Sequence, residues 1–363
     1  MKYLHILLHN ETKFNKKLFE MLNSKELGFD SSEQFFLTPY KNVYDSLSAY
    51  EGNITFSSEN KVKMINHFGK KADWIFIHAL NLKKYEVIQI KKSIAKKIIW
   101  REWGHDILEK PDGKNSLKNV ARHMLDKSYV KKINQFYAIG TGFRYDDILI
   151  KKRYGNMKTF LLNYSYQKGL EELYKKALEK KSNHGLLRVM VAHSGSPIMH
   201  HIEILEALRH LSEEPIQIVL ILSYGDAEYI SKVKSYAVQH FKKEQLDIIE
   251  NFLSMEEYLA LLNSVDIAAF DQVGSAALGN LTPLLYFNKK FVFNKNGLLK
   301  QIFDMESLPY LTTDQLQNIS FEKLAEKFPE QEKERKLTEE RIKEGFVPNT
   351  WKKAFAELSE ENN

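Results

Sequence analysis

The sequence predicts an α/β protein made of two consecutive Rossmann-like halves, each a parallel sheet flanked by helices. Three observations predict it. Short apolar runs alternate with amphipathic stretches, the pattern of strand–helix–strand units. The alternation starts afresh near Leu186, after a charged connector. Several apolar runs end in Gly, His, Asp or small residues, as strands do when they feed loops at the carboxyl edge of an open sheet, where ligands bind.

In the first half, Tyr3–Leu8 reads as a strand and its end carries His9 and Asn10. Asp73–His78 and Lys97–Trp100 read as later strands, and Leu82–Ala95 between them as one Lys-rich crossover helix. The run Trp100-Arg101-Glu102-Trp103-Gly104-His105-Asp106 places aromatic surface and titratable groups directly after a strand. Phe136–Ile139 reads as a strand closed by Gly140-Thr141-Gly142. A charged helical stretch, Glu171 to Lys181, then leads into Asn183-His184-Gly185.

In the second half, Leu186–Val191 is a strand followed by the loop His193-Ser194-Gly195-Ser196-Pro197. Met199–Leu211 is amphipathic and helical, with His200 and His201 as a surface pair. Ile216–Leu222 is a strand ending at Ser223-Tyr224-Gly225-Asp226, and Tyr229–Phe241 is a helix. Asp247–Asn251 is a strand, and Ser254–Leu262 a helix with a Ser cap and acidic Glu256 and Glu257 in its first turn. Val265–Phe270 is a strand that feeds the small-residue loop Asp271–Asn280. Leu281–Phe287 is a helix with Pro283 in its first turn, and Phe291–Phe293 a strand. Phe321–Lys343 reads as a charged helix, and Pro348-Asn349-Thr350-Trp351 starts the last one.

Length and composition suit this reading. The 363 residues are long for one core, and 43% apolar content is enough to build two. With no cysteine there is no disulfide framework and no Cys-ligated zinc or iron–sulfur site. The opening apolar run is too short for a signal peptide, and no stretch approaches the ~18 apolar residues of a membrane helix. Charge is uneven: residues 1–165 hold 29 Lys and Arg against 17 Asp and Glu, and the remainder 24 against 30. A basic half is expected where a protein meets anionic material. Nucleic acid is disfavoured, because the Lys-rich faces lack interleaved stacking aromatics.

The chemistry-bearing residues sit at strand ends. Gly274–Asn280, entering a helix, and His193–Ser196 both suit phosphate, since small residues let backbone N–H groups approach an anion and a helix start adds its dipole. Such turns also occur for purely structural reasons, and neither loop is a GxGxxG or Walker A motif. Glu256 or Glu257 could accept ribose hydroxyls, or simply complement a helix N-terminus. His78, His105 or Asp106 could deprotonate a sugar hydroxyl. The sequence contains no Asp-x-Asp metal motif, no HExxH and no Ser nucleophile elbow, so no metal or other cofactor is expected.

Those residues resemble a known family. Phe76-Ile77-His78-Ala79-Leu80-Asn81 is similar to its aromatic–His–x–x–Asn strand end, and Trp100 to Asp106 to its Trp-x-x-Trp-Gly-x-Asp, the most specific string. Arg144-Tyr145-Asp146, Ser194-Gly195 after a strand, Tyr258–Leu262 with Asp266, Gly279, Leu281 and Pro348-Asn349 follow collinearly. The chain resembles glycosyltransferase family 56, the 4-acetamido-4,6-dideoxygalactose transferases of enterobacterial common antigen synthesis. It departs at His193, where the family has Asn, and at Ser275–Asn280, where the family has Gln-Gln-Gly-Ile-Gly-Thr.

The resemblance implies a GT-B glycosyltransferase whose two Rossmann-like domains face a central cleft. Residues 1–165 would bind the acceptor, 166–345 the nucleotide-sugar, and 346–363 would form a helix crossing back to the first domain. It implies a dTDP- or UDP-linked sugar donor, a polyprenyl-diphosphate-linked glycan acceptor, and work at the inner membrane face in cell-surface polysaccharide synthesis. The basic first half fits an anionic membrane surface. Asp106 is then the expected base for the acceptor hydroxyl, with His105 or His78 second. Trp103 offers a sugar-stacking face, beside His9 and Asn81. Gly279 and Asn280 would hold the diphosphate with His193, Ser194 and Gly195, Arg144 would add a cation, Tyr224 and Gly225 would border the nucleotide, and Glu256 or Glu257 the ribose. A GT-B-fold nucleotide-sugar epimerase and a non-catalytic nucleotide- or glycan-binding protein are the other readings.

Overall fold

The computed structural model describes all residues except 104–116, 143–145, 165, 181–184, 275–277, 328–331 and 362–363. The chain divides into two compact units. The first comprises Met1–Lys168 with Glu344–Asn363, the second Gly169–Lys343.

The first unit is built on seven parallel strands: β1 Tyr3–Leu7, β2 Gln34–Thr38, β3 Asn53–Phe56, β4 Trp74–His78, β5 Ile98–Arg101, β6 Ala138–Thr141 and β7 Thr159–Leu161. Their order is β3-β2-β1-β4-β5-β6-β7. β1, β4 and β5 are buried throughout, as the near-continuous apolar runs of a doubly covered parallel sheet should be. Alternation sorts their side chains between two faces. Leu4, Ile6, Ile75, Ile77, Ile98 and Trp100 share one cluster with helices Lys61–Phe68 and Leu117–Ile133. Tyr3, Leu7, Trp74, Phe76 and Ile99 share the other with helices Thr12–Leu22 and Phe346–Glu360.

That last helix is part of the first unit's core. Its Trp351 is fully buried, and Trp351 Nε1 donates to the Asn163 carbonyl at 2.9 Å. Trp74 Nε1 donates to Leu358 O at 3.0 Å and the Tyr3 hydroxyl to Phe355 O at 3.2 Å. Each indole or phenol buries its ring while its polar tip finds a carbonyl.

The second unit holds six parallel strands: β8 Leu187–Val191, β9 Ile216–Ile221, β10 Leu246–Ile249, β11 Ile267–Phe270, β12 Lys290–Phe293 and β13 Leu311–Thr312. The order β10-β9-β8-β11-β12-β13 repeats the Rossmann pattern of the first six strands of the first unit.

Four expected helices differ, and tertiary contacts account for three of the differences. The 82–95 stretch forms two helices, Lys84–Ile88 and Lys92–Ala95, because the Asn66 side chain bonds both sides of the intervening turn: it accepts from Lys91 N–H at 2.9 Å and donates to Gln89 O at 3.4 Å. The 199–211 stretch is interrupted at His200, a left-handed residue (φ 53°) whose ring is anchored to Asp271; the helix proper is His201–Leu208. The charged 321–343 stretch contains helices Phe321–Ala325 and Glu332–Ile342. Lys290 Nζ takes the carbonyls of Leu324 and Glu326, both at 2.6 Å, which ends the first of them. Finally, Pro283 lies inside helix Leu278–Tyr286 and not in its first turn.

Candidate functional site

Each sheet reverses its strand order once, between β1 and β4 in the first unit and between β8 and β11 in the second. Ligands of open α/β sheets bind outside the carboxyl ends of strands at such a point. Backbone strain marks both places. Ala79, directly after β4, and Ala192, directly after β8, hold left-handed conformations (φ 58° and 56°). A non-glycine residue there costs about 1–2 kcal/mol, and such outliers cluster at binding sites.

In the first unit the loop after β1 carries His9, which is only 7% exposed and has no partner for either ring nitrogen. Burial lowers its pKa to about 4, so the ring is neutral near pH 7. It lies on Trp103 with ring centroids 4.0 Å apart. Phe14 meets Trp103 edge to face at 5.2 Å, and Tyr164 does so at 5.6 Å. Asn81 is exposed and tied to the same rim. Its amide donates to Tyr40 Oη at 3.4 Å, and Lys61 Nζ donates to both Tyr40 Oη (3.0 Å) and Asn81 O (3.1 Å). His9 and Trp103 are therefore brought together.

His78 is placed differently from the expectation that it could act as second base. It is fully buried at the end of β4. Its Nε2 faces His5 Nδ1 at 3.0 Å and its Nδ1 faces the Tyr164 hydroxyl. Burial drives its pKa well below the ordinary histidine value. A neutral ring with both nitrogens engaged and no solvent contact does not reach a substrate hydroxyl. Sequence reasoning also left Arg101 and Glu102 without a role. They form a buried ion pair at the end of β5 (3.1 Å), and Glu102 Oε1 also accepts from Gly142 N–H at 3.1 Å. Asp106, His105 and Arg144 lie outside the described residues.

In the second unit the loops after β8 and β9 close on each other. Gly195 N–H donates to Tyr224 O at 2.7 Å and Asp226 N–H to Gly195 O at 2.9 Å, making an isolated parallel bridge between Gly195 and Gly225. A Cβ on Gly225 would lie 2.3 Å from the Gly195 carbonyl. The Gly195 amide, expected to cradle phosphate, is thus committed to the neighbouring loop. Ser194 is buried beside it, and burial lowers the His193 pKa to about 4 while its Nδ1 has no partner.

Tyr224 and Phe252, at the ends of β9 and β10, are exposed by 48% and 77% and stack nearly parallel (6°) with centroids 5.8 Å apart. Asn280 accepts from the Tyr258 hydroxyl at 3.0 Å through Oδ1. Burial raises the Tyr258 pKa above that of an ordinary phenol. Gly279 and Asn280 are the second and third residues of helix Leu278–Tyr286, and Gly279 is exposed.

Two acidic residues are divided by the structure. Glu257 completes a capping box: Ser254 N–H donates to its Oε2 at 2.8 Å, and its own N–H donates to Ser254 Oγ at 3.3 Å. Those bonds lower its pKa, and its carboxylate is occupied as a helix cap. Glu256 faces Lys180 at 3.3 Å.

Asp271, at the end of β11, was not singled out by sequence and organises its surroundings. Its carboxylate accepts from the Thr313 hydroxyl, from Asn294 Nδ2 at 3.1 Å and from His200 Nδ1 at 3.2 Å. His200 and His201 are accordingly no surface pair, since His201 is fully buried. Among the described residues, no three His, Cys, Asp or Glu side chains converge as a metal site.

Comparison with solved structures shows the same architecture. The chain is similar to a glycosyltransferase of Rickettsia africae (12% identity, TM-score 0.58, 98% of each chain covered). It is similar to Alr3699/HepE of Anabaena, solved with UDP (11% identity, TM-score 0.66, 98% of this chain and 100% of that one). It is also similar to α,α-trehalose 6-phosphate synthase of Burkholderia multivorans (8% identity, TM-score 0.61, 100% and 98%). At these identities the likeness establishes the fold, which is GT-B with two Rossmann-like domains. The profile of the family described as 4-alpha-L-fucosyltransferase, glycosyl transferase group 56, matches residues 1–357. A match over nearly the whole chain settles its kinship: it belongs to glycosyltransferase family 56.

Proposed function

We propose that this glycosyltransferase moves a deoxyamino sugar or related hexose from a dTDP- or UDP-linked donor to a hydroxyl of a lipid-linked glycan, at the inner face of the plasma membrane, in cell-surface polysaccharide synthesis. The observation that carries the donor half is the exposed, nearly parallel Tyr224–Phe252 pair, whose Tyr224 carbonyl accepts from the N–H of Gly195, next to Ser194. The aromatic pair is a shelf for a nucleobase, and the start of helix Leu278–Tyr286 is a place for its diphosphate. Anabaena HepE, of the same fold, was solved with UDP. In this reading Gly279, Asn280 and Ser194 offset the charge of the departing diphosphate, so no metal is required. Glu256 is the ribose partner, now that Glu257 serves as a cap.

The acceptor half rests on Trp103, His9 and Asn81. A neutral, unpartnered and nearly buried His9 can accept or donate one hydrogen bond to a sugar hydroxyl beside the Trp103 ring. Asp106 activates the acceptor hydroxyl if the reaction inverts, and orients it if the reaction retains. The excess of cations in residues 1–165 suits anionic head groups, each nearby cation contributing about 1 kcal/mol. No helix among the described residues is long and apolar enough to cross a membrane.

A thermal-shift screen with dTDP, UDP, GDP, ADP and CMP tests the donor. A nucleotide at ~100 times its Kd stabilises by about 2.7 kcal/mol. Selective stabilisation by dTDP or UDP is expected, and no response to any nucleotide would overturn the donor assignment. Release of nucleoside diphosphate only when a lipid-linked acceptor is present is the expected mark of transfer. Conversion of the donor without an acceptor would point to an epimerase.

A further inference from the structure

Across the middle of the first sheet, among apolar side chains, runs a line of four polar ones. Gln34 on β2, His5 on β1, His78 on β4 and Tyr164 just after β7 are all buried. Gln34 Oε1 lies 2.9 Å from His5 Nε2, His5 Nδ1 lies 3.0 Å from His78 Nε2, and His78 Nδ1 meets the Tyr164 hydroxyl. The rings of Phe36, Phe76, Phe355 and Trp351 surround His5, and Trp351 also stacks on His78.

With the Gln34 amide oxygen toward His5, the line has one arrangement of protons. Gln34 Oε1 only accepts, so His5 Nε2 carries the hydrogen and His5 Nδ1 presents a lone pair. His78 Nε2–H donates to that lone pair, which leaves His78 Nδ1 as the acceptor for the Tyr164 O–H. A carboxamide takes up no proton, so the line ends in a group that cannot relay one. It conducts nothing and fixes direction. Its other end is Tyr164, whose ring meets Trp103 edge to face at 5.6 Å and carries the Arg101 guanidinium over its face at 4.8 Å.

We propose that Gln34, His5 and His78 are positioning residues that lock the Tyr164 ring, and through it the Trp103 face on which the acceptor sugar rests. The acceptor role of Trp103 comes from the function proposed above. The lock itself rests only on the geometry of the line. Fully satisfied buried networks rigidify what they hold, whereas apolar replacements of the same shape can keep stability and lose that rigidity.

Three variants in the full chain test it. In Tyr164→Phe the hydroxyl is lost and the ring stays. In His78→Asn the amide oxygen stands close to the former Nδ1 and still accepts from Tyr164. In His78→Leu residue 78 offers Tyr164 no acceptor. We expect Tyr164→Phe and His78→Leu to lose about 10- to 100-fold in kcat/KM for the acceptor, the size of effect expected when a substrate-positioning group is displaced, with the donor KM unchanged within about twofold. His78→Asn should recover most of that loss. Acceptor kinetics of Tyr164→Phe equal to the wild type, or His78→Asn as impaired as His78→Leu, would overturn the proposal.

A second arm needs no substrate. Long-range ¹H–¹⁵N NMR of the imidazoles should show His5 and His78 as neutral Nε2–H tautomers in the wild-type chain. Opposite tautomers at the two residues, or a charged ring at either, would overturn the lock. If the wild-type chain transfers no sugar from any donor, the proposed function falls, and the lock is decided by this arm alone.

Discussion

Replacing Gly225 by Ala should cost far more than the loss of one hydrogen atom suggests. Gly225 has φ 139°, a conformation side chains rarely adopt, and an added Cβ would stand 2.3 Å from the Gly195 carbonyl and 2.7 Å from its Cα. Backbone is what obstructs it, so no side chain can swing aside. Relief requires the loops after β8 and β9 to part, which breaks Gly195 N–H to Tyr224 O and Asp226 N–H to Gly195 O. Strain of about 1–3 kcal/mol plus two backbone hydrogen bonds at about 0.5–1.5 each gives about 4 kcal/mol. For a unit of this size that is roughly 8–16 °C in Tm. Gly169→Ala is the control, since Gly169 also has positive φ (74°) but nothing within 4 Å of a built Cβ. It should cost about 1 kcal/mol, or roughly 2–4 °C. Differential scanning calorimetry of both variants, followed by the nucleotide shift of each, separates close approach from backbone conformation. Equal losses of Tm in the two would refute the reasoning.

Two further outcomes are expected. His5, His9, His193 and His201 have folded pKa values lowered to about 4 by burial, against 6.5 unperturbed. The unfolded chain therefore binds more protons between those limits, and stability is complete above pH 6.5 and falls as the pH drops toward 4; urea titrations that give the same stability at pH 7 and pH 5 would contradict it. Glu257→Ala should lower Tm slightly through loss of the cap and leave the donor KM unchanged, and a raised donor KM in steady-state assays would return Glu257 to the ribose.

The central strands could be read from sequence because tertiary context had little left to decide. Tyr3–Leu7, Trp74–His78 and Ile216–Ile221 are apolar runs long enough to be buried on both faces. The strands that escaped notice are at or near the edges. Asn53–Phe56 is largely exposed, and Thr159–Leu161 has three residues. Helix breaks were invisible for another reason: each depends on a partner far along the chain, Asn66 for the turn at 89–91, Asp271 for His200, Lys290 for the end of Phe321–Ala325. The sites follow the same rule. Strand-end position picks out His9, Trp103 and Tyr224, which sit in loops at the carboxyl edge of a sheet. It cannot tell that His78 points into a hydrogen-bonded line, that Gly195 N–H is already engaged, or that Asp271 gathers donors from three separate segments.

The docking of Phe346–Glu360 on the first sheet also dictates an order of events during synthesis. The face formed by Tyr3, Trp74 and Phe76 stays bare until Trp351, Phe355 and Leu358 have been translated, after the whole of 169–343. The second unit is contiguous, so it can complete itself on the ribosome while the first waits half-finished, with an apolar surface exposed to aggregation or to chaperones. A fragment ending near residue 168 would inherit that bare face permanently. A circular permutant that joins 344–361 directly to the start of the chain would let the first unit close as it emerges.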